Sequence, residues 1–167
     1  MTSPQQIIEH YKLIPHPEGG WYRETYKSDE SIPAACLPST FKGDRSFSTA
    51  IYFLLAQGNF SAFHRIKSDE CWHFYYGDPL IIYIIHLNGV LETIRLGSNI
   101  ENNEVFQFVV PANCWFASIP AEKSQFCFVG CTVSPGFDFE DFELAKADIL
   151  SKSFPQHASL ITSLCRQ

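Results

Sequence analysis

About nine short apolar strands separated by polar turns predict an all-β chain, a two-sheet sandwich or barrel with short N-terminal and C-terminal helices. Two observations carry that reading. Aromatic residues make up 15% of the 167 residues, with fifteen phenylalanines, and aromatic and β-branched side chains favour strands. The apolar runs are short and bounded by Gly, Pro and Asn, with no long helical pattern between them, which argues against βαβ units. With no internal repeat, low-complexity stretch or linker, residues 1–167 read as one domain.

Taken in order, Ser3-Pro4-Gln5-Gln6 has the marks of a helix start: a serine N-cap, proline at the first helical position and glutamine where a capping box needs it. The helix runs to about residue 13, where Pro15 stops it. His16-Pro17-Glu18-Gly19-Gly20 must turn tightly, since two prolines and two glycines fix or free nearly each step. Residues 21–26 form a strand with Trp21, Arg23 and Thr25 on one face and Tyr22, Glu24 and Tyr26 on the other. Residues 28–45, with Pro33, Pro38 and Gly43, read as a long loop of the kind used for lids or interface arms. Residues 46–56 are a buried strand, followed by strands at 61–67 and 70–76 around a turn at Lys67-Ser68-Asp69. Residues 80–87 are apolar on both faces and should be covered on both. Asn88-Gly89 is the strongest hairpin signal, returning the chain into 90–96. Strands at 105–110, 114–118 and 125–134 complete the set. Pro135-Gly136 ends the sheet, residues 140–151 switch to a helical period, and a last helix covers 158–165 after Pro155.

The formal charge of −6 lacks the basic footprint a nucleic-acid partner needs. No apolar stretch approaches the roughly 20 residues of a membrane helix. The start of the chain has no basic, apolar signal segment, so a cytoplasmic protein is expected. Six cysteines form no C-x-x-C pair and sit mostly in apolar strands, which predicts free thiols.

The chemistry concentrates between Gly58 and Gly77. His64 shares a strand face with Ala62 and Ile66; Glu70 shares one with Trp72, Phe74 and Tyr76, while His73 points the other way. A carboxylate opening a row of aromatics is costly unless something pairs with it. His64 and Glu70 either satisfy each other inside a core or face a shared pocket.

Gly58, His64, Glu70 and Gly77 fall on the first motif of the cupin superfamily, G-x5-H-x-H-x3,4-E-x6-G, with Ile66 at the second histidine. Pro111-Ala112-Asn113-Cys114-Trp115-Phe116 lines up with the second motif, and Phe116 stands at its histidine. A wider resemblance joins His16-Pro17-Glu18-Gly19-Gly20, the run from Ser48 to Leu55, Ser68-Asp69-Glu70 with Trp72-His73-Phe74-Tyr75, Val110-Pro111-Ala112, and Gly130-Cys131-Thr132-Val133 with Pro135-Gly136-Phe137. Together these resemble the uncharacterised cupin family Cupin_5 (DUF985). The resemblance implies a cupin-type double-stranded β-helix, or jelly-roll barrel, and a homodimer. It also implies a divalent-metal site in the superfamily at large, but two of the four ligand positions are apolar here. No tight cofactor is therefore expected; a divalent metal held by His64 and Glu70 alone would be weak. His73 joins such a site only across a bulge.

Two functional readings follow. In one, the barrel pocket, lined by His64, Glu70 and the aromatics Trp72, Phe74 and Phe116, with His73 also in reach, binds a carbohydrate-like or other small organic ligand without turnover. Glu18, Arg23 and Arg45 then hold a charged group at the mouth. In the other, by fold-level analogy, His64 and Glu70 form the acid/base pair of a metal-independent sugar isomerase or epimerase. A purely structural role is a third reading, opposed by polar groups on apolar faces.

Overall fold

The computed structural model describes residues 2–166. Helix α1 (Pro4–Tyr11) is followed by β1 (Ile14–Pro15), β2 (Trp21–Lys27), β3 (Ser31–Ile32), β4 (Arg45–Ser46) and β5 (Thr49–Ala56). Then come β6 (Ser61–Arg65), β7 (Asp69–Gly77), β8 (Leu80–Ile85), β9 (Leu91–Leu96), β10 (Gln107–Val110), β11 (Trp115–Pro120) and β12 (Phe126–Ser134). β13 (Glu143–Leu144), α2 (Ala147–Ser153) and α3 (Ala158–Ser163) close the chain. The capping box forms: Ser3 Oγ accepts from the Gln6 amide, and the Ser3 amide donates to Gln6 Oε1 at 2.8 Å.

Two antiparallel sheets make the barrel, one in the order β1-β2-β5-β12-β7-β10 and one in the order β13-β6-β11-β8-β9. Strand alternation divides the apolar side chains among three places. Inward residues such as Phe53, Leu55, Trp72, Ile82, Ile84, Phe116 and Val129 form the main core between the sheets. On the outside of the first sheet Leu54, Phe126 and Phe128 pack under Ile7 of α1 and Leu13. On the outside of the second, Phe63, Ile85 and Ala117 pack under Leu150, Ile161 and Leu164 of the C-terminal helical segment. The terminal helices thus supply the covers that β5 and β8, apolar on both faces, require. Each fully buried Leu, Ile or Phe contributes roughly 1.5–3 kcal/mol of transfer free energy, so the covers stabilise as well as enclose.

Two expectations are corrected. Residues 140–151 are not one helix. A 3-10 turn at Phe139–Asp141 leads into β13, whose Leu144 pairs with His64 of β6, and α2 starts only at Ala147. The helical period loses because the Asp141 carboxylate is held from outside the segment, by Arg45 (Nε–Oδ2 2.6 Å) and Lys67 (Nζ–Oδ1 2.9 Å). The Ala145 amide donates to the Phe63 carbonyl as well. The stretch at 28–45 is also not structureless: it holds β3 and β4, which pair with each other, and a 3-10 turn at Ala34–Cys36.

Candidate functional site

A cavity of about 360 Å³ occupies one end of the barrel. Its floor is where β5 and β7 begin and β12 ends: Val133 is the register partner of Thr49 on one side and of Glu70 on the other, and all three line it. Further along the same inward faces, Leu55, Trp72 and Val129 are packed solid in the core. The barrel is filled at one end and open at the other.

The turn at His16–Gly20 brings Glu18 into this space. The His16 amide donates to the Gly20 carbonyl and the Gly19 amide to the His16 carbonyl, each at 3.0 Å. Gly19 and Gly20 take φ of +115° and +76°, and a Cβ on Gly19 would fall on the Phe60 carbonyl and the Arg166 guanidinium. Only glycine serves there. The Ala62 amide then donates to the Glu18 carbonyl at 2.9 Å, docking the turn on β6. Glu18 Oε1 accepts from Ser61 Oγ at 2.8 Å, and Oε2 lies 3.1 Å from His64 Nε2 and 3.5 Å from His16 Nδ1.

The protonation of His64 follows from its partners. Nδ1 sits 2.7 Å from the Ala62 carbonyl oxygen, which can only accept, so Nδ1 carries hydrogen. Nε2 and Glu18 Oε2 must then share one proton between them, since two lone pairs do not meet at 3.1 Å without it. Burial lowers the pKa of His64, against the opposing pull of Glu70 and the Ala62 hydrogen bond. Burial likewise raises that of Glu18, opposed by His16, Ser61 and Arg166. His16 is lowered by burial too, with Glu18 opposing and His64 adding to the fall.

Glu70 is differently placed. It is 8% exposed and faces the cavity. Burial pushes its carboxyl up to about 7, with His64 opposing the rise and Glu18 reinforcing it. The Cys131 thiol and the Trp72 indole N–H also favour its charged form. That indole N–H is fully buried and faces Glu70 without closing a hydrogen bond.

Of the residues expected at the site, His64, Glu70 and Glu18 line the cavity. Trp72 and Phe116 do not: they stand in the filled half, 1% exposed, with the Phe116 ring 4.1 Å from that of His64. Phe74 packs against the same core, past the pocket. His73 is on the outer face, bonded to Thr132 Oγ1 at 3.1 Å and stacked with Tyr75. A bulge does occur in β7, but between Phe74 and Tyr76, too late to turn His73 inward. Arg23 is exposed and donates to the Tyr11 carbonyl. Arg45 is buried against Asp141 and has no free face for a ligand. The aromatic wall comes instead from Phe137, Phe139 and Phe142, whose rings meet edge-on with centroids 5.0–6.4 Å apart. Their segment alternates too irregularly for strand or helix periodicity to reveal it.

The divalent metal of the cupin resemblance does not fit these residues. Ile66 and Phe116, at two of the four ligand positions, are buried and apolar, and His64 Nε2 is already engaged by a carboxylate. Among the described residues no group of three His, Cys, Asp or Glu side chains is arranged to hold a metal ion.

Comparison with known proteins agrees with this architecture. The family model described as Cupin superfamily (DUF985) matches residues 5–145. An uncharacterised protein of Saccharomyces cerevisiae, YML079W, is 29% identical over 156 residues, 88% of this chain and 77% of that protein. Among solved structures, protein SO0799 from Shewanella oneidensis superposes with a TM-score of 0.89 at 40% identity, covering 99% of both chains. A hypothetical protein from Leishmania major gives 0.89 at 30% identity, covering 99% of this chain and 100% of that one. Oxalate decarboxylase from Bacillus subtilis gives 0.55 at 15% identity, with 90% of this chain spanning 36% of that one; this likeness concerns the fold alone.

Proposed function

This chain belongs to the Cupin_5 (DUF985) family of the cupin superfamily, and on that footing we propose that its open barrel end binds a small organic ligand, with Glu70 as the group that meets it. One observation carries the reading. Of the two buried carboxyls in the cavity, Glu18 is held by the Ser61 hydroxyl and by His64 Nε2, whereas Glu70, backed by the Cys131 thiol and the Trp72 indole, faces the cavity. An apolar-walled cavity with a few convergent polar groups is how small-molecule sites are built. Native mass spectrometry of freshly purified protein, with elemental analysis of the same sample, tests it. Retention of an organic mass, lost when Thr49→Trp fills the cavity, supports the proposal. One transition metal per chain, or no organic mass retained from any extract, counts against it.

A second reading is supported by the Glu70 carboxyl itself. With its pKa raised to about 7, both protonation states are populated at neutral pH, as a proton carrier in an isomerase or epimerase requires. The His64–Glu18 pair then holds charge beside it rather than acting as base, because both ring nitrogens of His64 are engaged. Deuterium from the solvent enters the retained compound during turnover under this reading, and Glu70→Gln abolishes the exchange; a simple binder shows none. A homodimer belongs to the same proposal: Val109 of the edge strand β10 and Phe106 just before it are exposed. Sedimentation as a monomer at micromolar concentration would remove it.

A further inference from the structure

The charges around the cavity are unequal. Glu70, Glu24 and Asp138 line it beside the neutralised His64–Glu18 pair, and the lysine and arginine count among the lining side chains is one, the exposed Lys27. Neither arginine expected at the mouth reaches it. Three phenylalanines in mutual edge-to-face contact, Phe137, Phe139 and Phe142, line the same cavity, with His16 stacked on Phe139 at 6.0 Å. Phe139 is 51% exposed. Core packing does not require a ring there, and at the rim of a cavity it is a ready contact for whatever enters. Ring faces attract cations, most strongly where water is excluded, and such aromatic clusters are how ammonium groups are recognised.

We propose that the cavity selects an organic cation, an amine or ammonium group on an apolar body, with Glu70 as its counter-charge and the Phe137–Phe139–Phe142 cluster as its aromatic seat. This rests on the ligand-binding reading above and narrows it to a charge class. An anionic ligand such as a phosphorylated sugar or a dicarboxylate meets three carboxyls and one exposed lysine. A neutral polyol can bond to the polar lining but brings no counter-charge to buried Glu70. The cation leaves no such mismatch: it supplies the charge that buried Glu70 lacks, and the carboxylate form becomes the favoured one on binding.

Three probes with the same aromatic body and different charge test the assignment: benzyltrimethylammonium, benzyl alcohol and benzoate, titrated into the full-length protein by NMR chemical-shift mapping. The ammonium is expected to bind about tenfold more tightly than the alcohol, with benzoate weakest. Its affinity should rise from pH 6 to pH 8 as Glu70 ionises among the groups that face it: His64 of β6, Glu18 of the turn, Cys131 of β12 and Trp72 of its own strand. Glu70→Gln, which keeps the shape, should remove that rise and bring the affinity of the ammonium down to about that of the alcohol. Phe139→Ala, at an exposed position that does not threaten folding, should weaken the ammonium several-fold. Benzoate or the alcohol binding as tightly as the ammonium overturns the charge assignment while leaving a ligand site in place. Absence of saturable cavity shifts with all three probes overturns both the assignment and the ligand-binding reading.

Discussion

His64 Nε2 meets Glu18 Oε2 at 3.1 Å, while its Nδ1 is held by the Ala62 carbonyl at 2.7 Å. The histidine of the first cupin motif is thereby committed to a carboxylate from the N-terminal turn. The glutamate of that motif, Glu70, is left facing the cavity. The buried carboxyl left to a ligand is therefore Glu70, with a raised pKa and backed by a fixed, neutralised pair.

Removing the partner should reveal how fixed that pair is. Glu18→Ala strands the Ser61 hydroxyl and His64 Nε2, both buried, and should cost roughly 1–3 kcal/mol in denaturant unfolding. Glu18→Gln can donate its amide to an unprotonated Nε2 and should stay within about 1 kcal/mol of the parent. The exposed pair Arg65–Glu143, with side chains 38% and 55% exposed, is the control: Glu143→Ala should cost less than about 1 kcal/mol.

Stability should respond to pH through Glu70 in a definite direction. Its carboxyl titrates near 7 in the folded protein against an ordinary value of 4.5, so between those limits the folded state binds the extra proton. Stability from this group then falls as pH rises through that window. Glu70→Gln should abolish the fall, by about 3 kcal/mol at most above pH 7. His16 and His64, both lowered by burial, act in the opposite sense, costing stability as pH drops below the ordinary histidine range. The difference between parent and variant across a pH series of chemical melts isolates Glu70.

The aromatic wall depends on a buried ion pair. Burial alone would raise the pKa of Asp141, but its bonds to Arg45 and Lys67 outweigh this and hold it below the usual carboxylate value. Arg45 Nε and Nη2 grip the two oxygens at 2.6 and 2.8 Å. Arg45→Ala leaves a buried, under-compensated carboxylate and should cost roughly 3–5 kcal/mol. Faster amide exchange confined first to residues 137–142 would show the wall loosening before the barrel does.

Elemental analysis after purification without chelator should find iron, zinc, manganese and nickel well below one per chain, given the apolar residues at two ligand positions and the engaged His64. A stoichiometric metal retained by the parent and lost in His64→Asn contradicts this.

Much of the barrel was legible in the sequence because its signals are local. The capping box at Ser3, the Asn88-Gly89 hairpin and the two-sided apolar run of β8 each resolve within a few residues. The site was legible only in part. His64, Glu70 and Glu18 could be picked out as unusual, but strand alternation says which face a side chain takes, not how far along the barrel the filling stops. Trp72 and Phe74 share a face with Glu70 and still lie in the packed half. The pairing of His64 with Glu18, and of Arg45 with Asp141, joins segments far apart in the chain. No spacing rule reaches such pairs. The helical period at 140–151 was a local preference overruled by that second long-range pair.

The measurement that reaches the central claim most directly is a carbon-13 NMR titration of the Glu70 side-chain carboxyl, assigned by its loss in Glu70→Gln. A midpoint near 7 that shifts when benzyltrimethylammonium is added is the result this account predicts. A midpoint near the ordinary 4.5, indifferent to the probe, would contradict it and return the cavity to plain packing.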